Sequence, residues 1–160
     1  LLSQRLRLRT ASAVVVGNGV LRRHALRWHM ASTDGSGKCD VVAQGDAGAA
    51  LVHGVVYRID QREKHLLDSA ESLGVGYREE AVSVELGAQR VMARIYIALR
   101  TDTTVVPYDW YHALVLGGAR EHRLPADYVR QLAAVPTRPD PDLQRAALHF
   151  ALVDSSRGSG

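Results

Sequence analysis

The chain is poor in cysteine and contains no long hydrophobic run. Cys39 is its one cysteine, so an internal disulfide and a metal site built from several thiolates are both excluded. No apolar run approaches the roughly 20 residues of a membrane span, and the run "AVVV" near the start is too short for a signal-peptide core. We therefore expect a cytoplasmic protein without a membrane partner.

Histidine pairs at metal-ligand spacing are also missing. The seven histidines are scattered along the chain, and none lies at a familiar ligand distance from another. A lone histidine in a protein is usually structural. The sequence therefore predicts no metal site.

Positive charge is in slight excess and is concentrated early. The formal net charge is +3 and the pI is near 9.3. Six early arginines contribute: Arg5, Arg7, Arg9, Arg22, Arg23 and Arg27. Such a cluster suits nucleic acid, but equally a solvated basic face or a surface receptive to a small anion. No aromatic interleaving or nucleic-acid motif accompanies it, so the sequence does not favour a nucleic-acid partner.

The size and composition are those of one soluble domain. The chain has 160 residues, of which 46% are hydrophobic and 23% are charged. There are no internal repeats, and the end "SSRGSG" has the composition of a disordered terminus. We expect a single domain over residues 1–153 and a disordered tail over 154–160.

Hydrophobic periodicity and turn residues predict a mixture of strands and helices. Strands are expected within 13–30, at 40–43, at 52–59 and in a hairpin around Gly87, and helices at about 108–117, 125–134 and 142–152. The pair Gly117-Gly118 is expected to close the first of these helices. Mostly antiparallel neighbours and irregular alternation predict an α+β fold with a small mixed, mostly antiparallel curved sheet or barrel flanked by helices.

A short helix is predicted between Asp60 and Gly74. Asp60 is suited to cap it, and Glu63 stands three residues later, as in a capping box. Its periodic apolar residues predict a buried stripe, made of Leu66, Leu67, Ala70 and Leu73. Gly74 is expected to end the helix.

Glu71 lies at the end of this helix, on the flank of the apolar stripe. A carboxylate at a helix end is usually a solvated surface charge. Here it borders the stripe, precedes a glycine-rich loop with room for a ligand, and is followed by Tyr77, which can hydrogen-bond a substrate or a carboxylate. A half-buried carboxylate can take and return a proton near neutral pH. We expect Glu71 to line a concave, mostly apolar pocket near Tyr77.

Several segments, in order, resemble the gamma-glutamylcyclotransferases. They are "HGVVYRI", "LLDSAE", Tyr77, "ARIYIAL" and "YHALVLGGAREHRLPADYVRQL". Each is weak alone, but their order and spacing are specific, and the similarity runs from about Leu1 to Val135. The resemblance implies a small mixed barrel flanked by helices, which agrees with the fold class expected from periodicity.

The resemblance also implies a reaction that needs no metal or organic cofactor. The α-amine of a γ-glutamyl group attacks its own side-chain carbonyl, 5-oxoproline forms, and an amine leaves. The family's catalytic glutamate falls on Glu71, which would accept and return the proton. Tyr77, Tyr96 and Tyr111 match tyrosines that line the family's pocket or touch substrate. Alternatively, Tyr96 packs in the sheet and Tyr111 on its helix.

The start of the chain departs from the family pattern. The family carries Tyr-Gly-Ser-Asn directly before a Leu-Leu pair, in a loop that binds the substrate's α-carboxylate. Leu1 and Leu2 match that pair, and the resemblance assigns them to the substrate site. It also makes "SQRLRLRT" the family's first helix, although the alternation in "RLRLRT" alone favours a strand. Two outcomes are expected: the natural protein extends upstream through such a loop, which the absent methionine favours, or it starts here and is a scaffold or binder with an incomplete pocket.

Three functions follow from the sequence. The first is an enzyme that releases 5-oxoproline from a small-molecule γ-glutamyl amide. The second is a non-catalytic member of the fold that binds a small ligand or a protein. The third is a basic nucleic-acid binder, which no motif supports. The identity of the leaving amine and the formation of a homodimer are left open.

Overall fold

The computed structural model describes the backbone of residues 3–45 and 49–157. Its elements, in chain order, are α1 (Ser3–Arg7), β1 (Val14–Arg22), β2 (His24–Ala31), β3 (Gly37–Ala43), β4 (Leu51–Arg58), α2 (Lys64–Ala70), β5 (Tyr77–Leu86), β6 (Gln89–Ala98), α3 (Asp109–Glu121), α4 (Ala126–Ala133) and α5 (Leu143–Arg157). The order confirms the α+β class. None of the described helices is long and apolar enough to cross a membrane.

The six strands of the described residues form two antiparallel sheets that curl around a common core. One sheet has the order β4-β1-β5-β6, and the other pairs β2 with β3. Strand β3 lies against β6 and β2 against β4, so the smaller sheet closes the barrel. The core inside is aliphatic and is centred on Leu21, Val52, Val82 and Val84. The predicted curved sheet or barrel is therefore confirmed.

The hairpin of β5 and β6 is the most regular part of the barrel. Its register runs without interruption from Tyr77 opposite Ala98 to Leu86 opposite Gln89, and Gly87 takes a φ of +62° in the turn. Left-handed backbone of this kind favours glycine. By contrast, β1 meets β5 at a single pair, Val20 and Glu85.

Helices α3, α4 and α5 pack together and bury several aromatic residues. One core cluster joins α3 to α5 through Trp110, Leu114 and Val153. A second joins α3 to α4 through Ala119 and Tyr128. These helices position the segment of α3 that carries Tyr111.

Two helix ends lie later in the chain than the sequence predicted, and the first helix is present as the family resemblance implied. Helix α3 continues through Gly117-Gly118 to Glu121, because Gly118 is buried and tertiary packing overrides its low helix propensity. Helix α5 continues to Arg157, past the predicted end at residue 152. At the start of the chain, Ser3–Arg7 is helical and not a strand, as the family resemblance implied.

The helix that leads to Glu71 is also built differently from the prediction. Asp60 does cap its first 3₁₀ turn, by accepting a hydrogen bond from the backbone N–H of Arg62 at 2.9 Å. Glu63 does not complete a capping box, because its carboxylate binds the backbone N–H and the hydroxyl of Ser12 instead. The backbone N–H of Asp60 in turn donates to the Ser12 hydroxyl.

The predicted buried stripe of α2 is not buried. Leu66 and Leu73 are 44% and 41% exposed, and no residue of the helix is fully buried. The helix stands off from the sheet, and a cavity separates them. This gap exists because Lys64 and Asp68 reach across to polar residues of β5 and β6, so polar contacts hold the helix in place.

Candidate active site

The end of α2 fixes the position of Glu71. The helix ends at Ala70, before the predicted stop at Gly74, since Ser72 already takes a left-handed φ of +50°. The N–H of Leu73 donates to the carbonyl of Asp68, and that of Ser72 to the carbonyl of Ser69. This pair of bonds is a Schellman motif, in which Glu71 is the C-cap residue.

The Glu71 side chain is partly buried and held by an arginine. Its Oε1 lies 2.7 Å from Nη1 of Arg9, and the two side chains are 21% and 24% exposed. A guanidinium at this distance forms a charge-assisted hydrogen bond that fixes the orientation of the carboxylate. Arg9 therefore holds Glu71 in place beside the space where a ligand would bind.

Glu71 lines a cavity of about 180 Å³ between α1, the loop after α2, the end of β2 and α3. Tyr77 and Tyr111 line the same cavity, so three of the sequence-predicted site residues come together. Leu1 and Leu2, the two assigned from the resemblance at the start of the chain, lie outside the described residues. The assignments themselves remain predictions.

Tyr77 and Tyr111 hold the same stretch of backbone. The Tyr77 hydroxyl donates to the Cys39 carbonyl at 3.0 Å, and the Cys39 N–H donates to the Tyr111 hydroxyl at 3.1 Å. Burial, and then the Glu71 carboxylate, raise the pKa of Tyr77, and burial raises the pKa of Tyr111 well above its usual value. Both side chains are thus neutral phenols that form the cavity wall and brace β3.

Tyr96 lies outside this cavity. Its hydroxyl donates to Oδ1 of Asp68 at 2.6 Å and accepts from Nζ of Lys64 at 3.0 Å. Burial, and then the hydrogen bond to Asp68, raise the pKa of Tyr96 to about 12. It lines the larger cavity beneath α2, and not the cavity that contains Tyr77 and Tyr111.

The cavity is more cationic than the mostly apolar pocket that the sequence predicted. Four basic residues line it: Arg5, Arg9, Lys38 and Arg100. Glu71 is the one carboxylate among its described lining residues. Such an excess of positive charge attracts an anionic group.

Arg5 lines this cavity and carries an N–H group without a hydrogen-bond acceptor among the described residues. Its Nη1 is buried and has no hydrogen-bond partner among the described residues. Burial, and then the charge of Arg9, lower the pKa of Arg5 from its usual value. A buried guanidinium with a free N–H is costly unless an acceptor binds there, and a carboxylate fits it best.

Lys38 lines the same cavity, and its ammonium lies over two aromatic rings. Its Nζ is 4.9 Å from the ring centres of both Trp110 and Tyr111, and it pairs with Asp34 at 2.7 Å. Burial lowers the pKa of Lys38, although the bond to Asp34 opposes this effect. The ammonium is thus fixed in place and partly neutralised.

The cationic lining was missed as a site by sequence reasoning. Arg5 and Arg9 belong to the early arginine cluster, and their i, i+4 spacing near a helix was the available signal. The cluster does not form one basic face, because Arg22 lies on β1 and pairs with Glu85. Lys38 and Arg100 carried no sequence signal, since only the fold brings them to α1.

No described cluster suggests a metal ion. Within residues 3–45 and 49–157, no three His, Cys, Asp or Glu side chains are arranged to hold one. The chemistry that these residues support is anion binding next to a carboxylate base.

The fold is similar to that of solved gamma-glutamyl cyclotransferase-like structures. A protein named gamma-glutamyl cyclotransferase aligns with a TM-score of 0.80 at 20% identity, over 96% of this chain and 92% of that one. An uncharacterized protein from Homo sapiens aligns with a TM-score of 0.76 at 24% identity, over 86% and 83% of the two chains. YkqA from Bacillus subtilis aligns with a TM-score of 0.69 at 20% identity, over 84% of this chain and 49% of that one.

Sequence comparison gives the family. No curated protein matches the chain. The sequence profile of the AIG2-like family matches residues 51–132, which run from the start of β4 through Glu71 and both strands of the hairpin into α4. The chain therefore belongs to the AIG2-like family and has a gamma-glutamyl cyclotransferase-like fold.

Proposed function

We propose that the protein releases 5-oxoproline from a γ-glutamyl amide, with Glu71 as the catalytic acid–base. One observation carries the proposal: Glu71 and Arg5 line the same cavity, and the buried Nη1 of Arg5 has no hydrogen-bond partner among the described residues. A γ-glutamyl head group has an α-carboxylate for the cation and an α-ammonium for the carboxylate. Its two charges match the two charged features of the cavity.

Binding orients the head group for ring closure. The α-carboxylate lies against Arg5, and the α-ammonium lies against Glu71, on the side of the cavity walled by Tyr77. Because the attacking nitrogen and the γ-carbonyl belong to one molecule, holding the chain folded supplies much of the rate. Arg9 keeps the Glu71 carboxylate in a fixed position throughout.

Ring closure replaces one C–N bond by another and removes two protons from the attacking nitrogen. Glu71 takes a proton from the α-ammonium, and the freed amine attacks the γ-carbonyl carbon. The new C–N bond closes the five-membered ring, and the bond from that carbon to the leaving nitrogen breaks. The attacking nitrogen loses two protons in all, of which Glu71 returns one to the leaving nitrogen and solvent takes the other.

The test is direct detection of both products. The purified protein is incubated with several γ-glutamyl amides, and 5-oxoproline and the free amine are measured in equal amounts by mass spectrometry. Equimolar release that depends on the protein supports the proposal. Binding of γ-glutamyl compounds without release would instead favour a binding module, and neither binding nor release would exclude both functions.

A further inference from the structure

A second and larger cavity begins on the other side of Glu71. It has a volume of about 940 Å³ and extends from beneath α2 toward the interior of the barrel. Glu71 is the one described residue that lines both this cavity and the cationic one. Glu71 therefore borders both spaces.

The geometry of the amide decides what enters the larger cavity. The carbonyl carbon under attack must lie near Glu71, and the leaving nitrogen is bonded to that carbon. The cationic cavity, at about 180 Å³, is small for a ligand site and is occupied by the head group. The substituent of the leaving amine thus starts beside Glu71 and continues into the larger cavity.

Many of the residues that line the larger cavity are apolar. Its apolar lining includes Leu6, Val56, Leu67, Ala93 and Ile95. Gly19 and Gly54 are partners in the β1–β4 register, so they project to the same face, and both line the cavity. Gly54 leaves space on that face, because a Cβ there would meet no heavy atom within 4 Å, whereas a Cβ at Gly19 would meet the Val84 side chain at 2.5 Å. A space of this size can hold a small ligand.

The charged residues at the mouth of this cavity are already paired with each other. Nζ of Lys64 binds Oε1 of Glu79 at 2.6 Å and also pairs with Asp68. Nη1 of Arg94 binds Oε2 of Glu79 at 2.6 Å. Two cations thus neutralise two carboxylates, and a charged amine substituent would have to break one of these pairs.

We propose that the larger cavity is the subsite for the leaving amine, and that the preferred substrates are γ-glutamyl amides of uncharged, apolar amines such as aryl-alkylamines. This inference rests on the proposed function and deepens it. When an apolar substituent binds, the apolar surfaces of the substituent and of the cavity are both removed from water, which favours binding. A second carboxylate, as in a γ-glutamyl amino acid, would lie near Asp68 and Glu79 and be disfavoured.

Two matched substrate pairs test the preference. γ-Glutamyl-phenethylamide differs from γ-glutamyl-phenylalanine only by one carboxylate, and we expect its kcat/KM to be higher by about 10-fold or more. We also expect the kcat/KM of the phenethylamide to exceed that of γ-glutamyl-methylamide, which lacks the ring, on the order of 10²-fold. Each value is measured by 5-oxoproline release.

Gly54 provides a variant that fills the subsite. A Cβ added there meets no heavy atom within 4 Å, so Gly54→Leu extends into open space. We expect it to lower kcat/KM for the phenethylamide about 10-fold or more and to leave the methylamide nearly unchanged. Gly45→Leu is the control, because Gly45 also has open space around it and lines neither cavity.

The outcomes separate this inference from the proposed function. Turnover of all three amides at similar rates, or equal loss for both amides in Gly54→Leu, overturns the subsite and leaves the cyclotransferase activity standing. Faster turnover of γ-glutamyl-phenylalanine also overturns it. Absence of 5-oxoproline from every amide overturns the proposed function and the subsite together. A phenethylamide preference that Gly54→Leu removes and Gly45→Leu keeps supports both.

Discussion

Arg9 and Glu71 form an ion pair of 2.7 Å across the mouth of the cationic cavity, although 62 positions separate them in the sequence. Arg9 follows the first helix, and Glu71 caps the second. The pair therefore joins the segment after α1 to the end of α2, and it sets the direction in which the carboxylate points.

The first prediction concerns the proton carried by Glu71. Glu71→Gln preserves the shape of the side chain but cannot accept a proton, so we expect the kcat for 5-oxoproline release to fall on the order of 10²-fold or more. Glu80→Gln, at a partly exposed position of β5 that lines neither cavity, is the matched control. Unchanged turnover in Glu71→Gln would refute the catalytic role.

The second prediction concerns the orienting role of Arg9. Arg9→Gln removes the ion pair, and we expect kcat to fall about 10-fold, because Glu71 loses its fixed position. In the Glu71→Gln background the same change should have little further effect on kcat, since no base remains to be oriented. Additive losses in the double variant would show that Arg9 acts independently of Glu71.

The third prediction concerns the turn that closes the smaller sheet. A Cβ at Gly37 would collide with the carbonyl oxygen of Trp28 and come within 3.4 Å of the Pro107 nitrogen, so Gly37→Ala must displace backbone. We expect the free energy of unfolding to fall by about 1–3 kcal/mol, measured by urea denaturation. Gly54→Ala is the control, because its Cβ enters open space. Equal stability of the two variants would contradict the packing described here.

The fourth prediction concerns pH and His149. Its ring stacks on Trp110 at 4.0 Å, and burial, followed by the charges of Arg5 and Lys38, lowers the pKa of His149 to about 4. Because the pKa in the unfolded chain is near 6.5, the unfolded state takes up the proton first as the pH falls. Stability should thus decline from about pH 7 to about pH 4.

The variant that checks this dependence is His149→Phe. It keeps an aromatic ring against Trp110 and cannot be protonated, so its thermal midpoint should fall less over the same pH range. The charges of Arg145 and Arg9 also lower the pKa of this imidazole, and these charges are constant across that pH range. An identical decline in the wild type and in His149→Phe would show that other groups control acid stability.

The strands could be predicted from the sequence because their signals are local. Alternation in Val91, Ala93 and Ile95, together with Gly87 in the turn, specifies the β5–β6 hairpin without reference to the rest of the chain. The family resemblance similarly placed the first helix where alternation alone favoured a strand.

Features that depend on distant partners could not be predicted. The sequence predicts that Glu63 caps its own helix. Its carboxylate instead accepts hydrogen bonds from the backbone N–H and hydroxyl of Ser12, 51 positions away. Gly118 was expected to end α3, but it is buried in the packed helix. The cationic cavity requires Lys38 and Arg100 to reach α1, which no local pattern encodes.

The sequence separation of Arg9 and Glu71 has a consequence for refolding kinetics. The β5–β6 hairpin is closed by a short turn and can form within microseconds, whereas the cavity needs the start of the chain to dock on a segment 62 residues later. Secondary structure should therefore return before catalysis in a refolding experiment. The recovery of turnover would measure the last docking step of the chain.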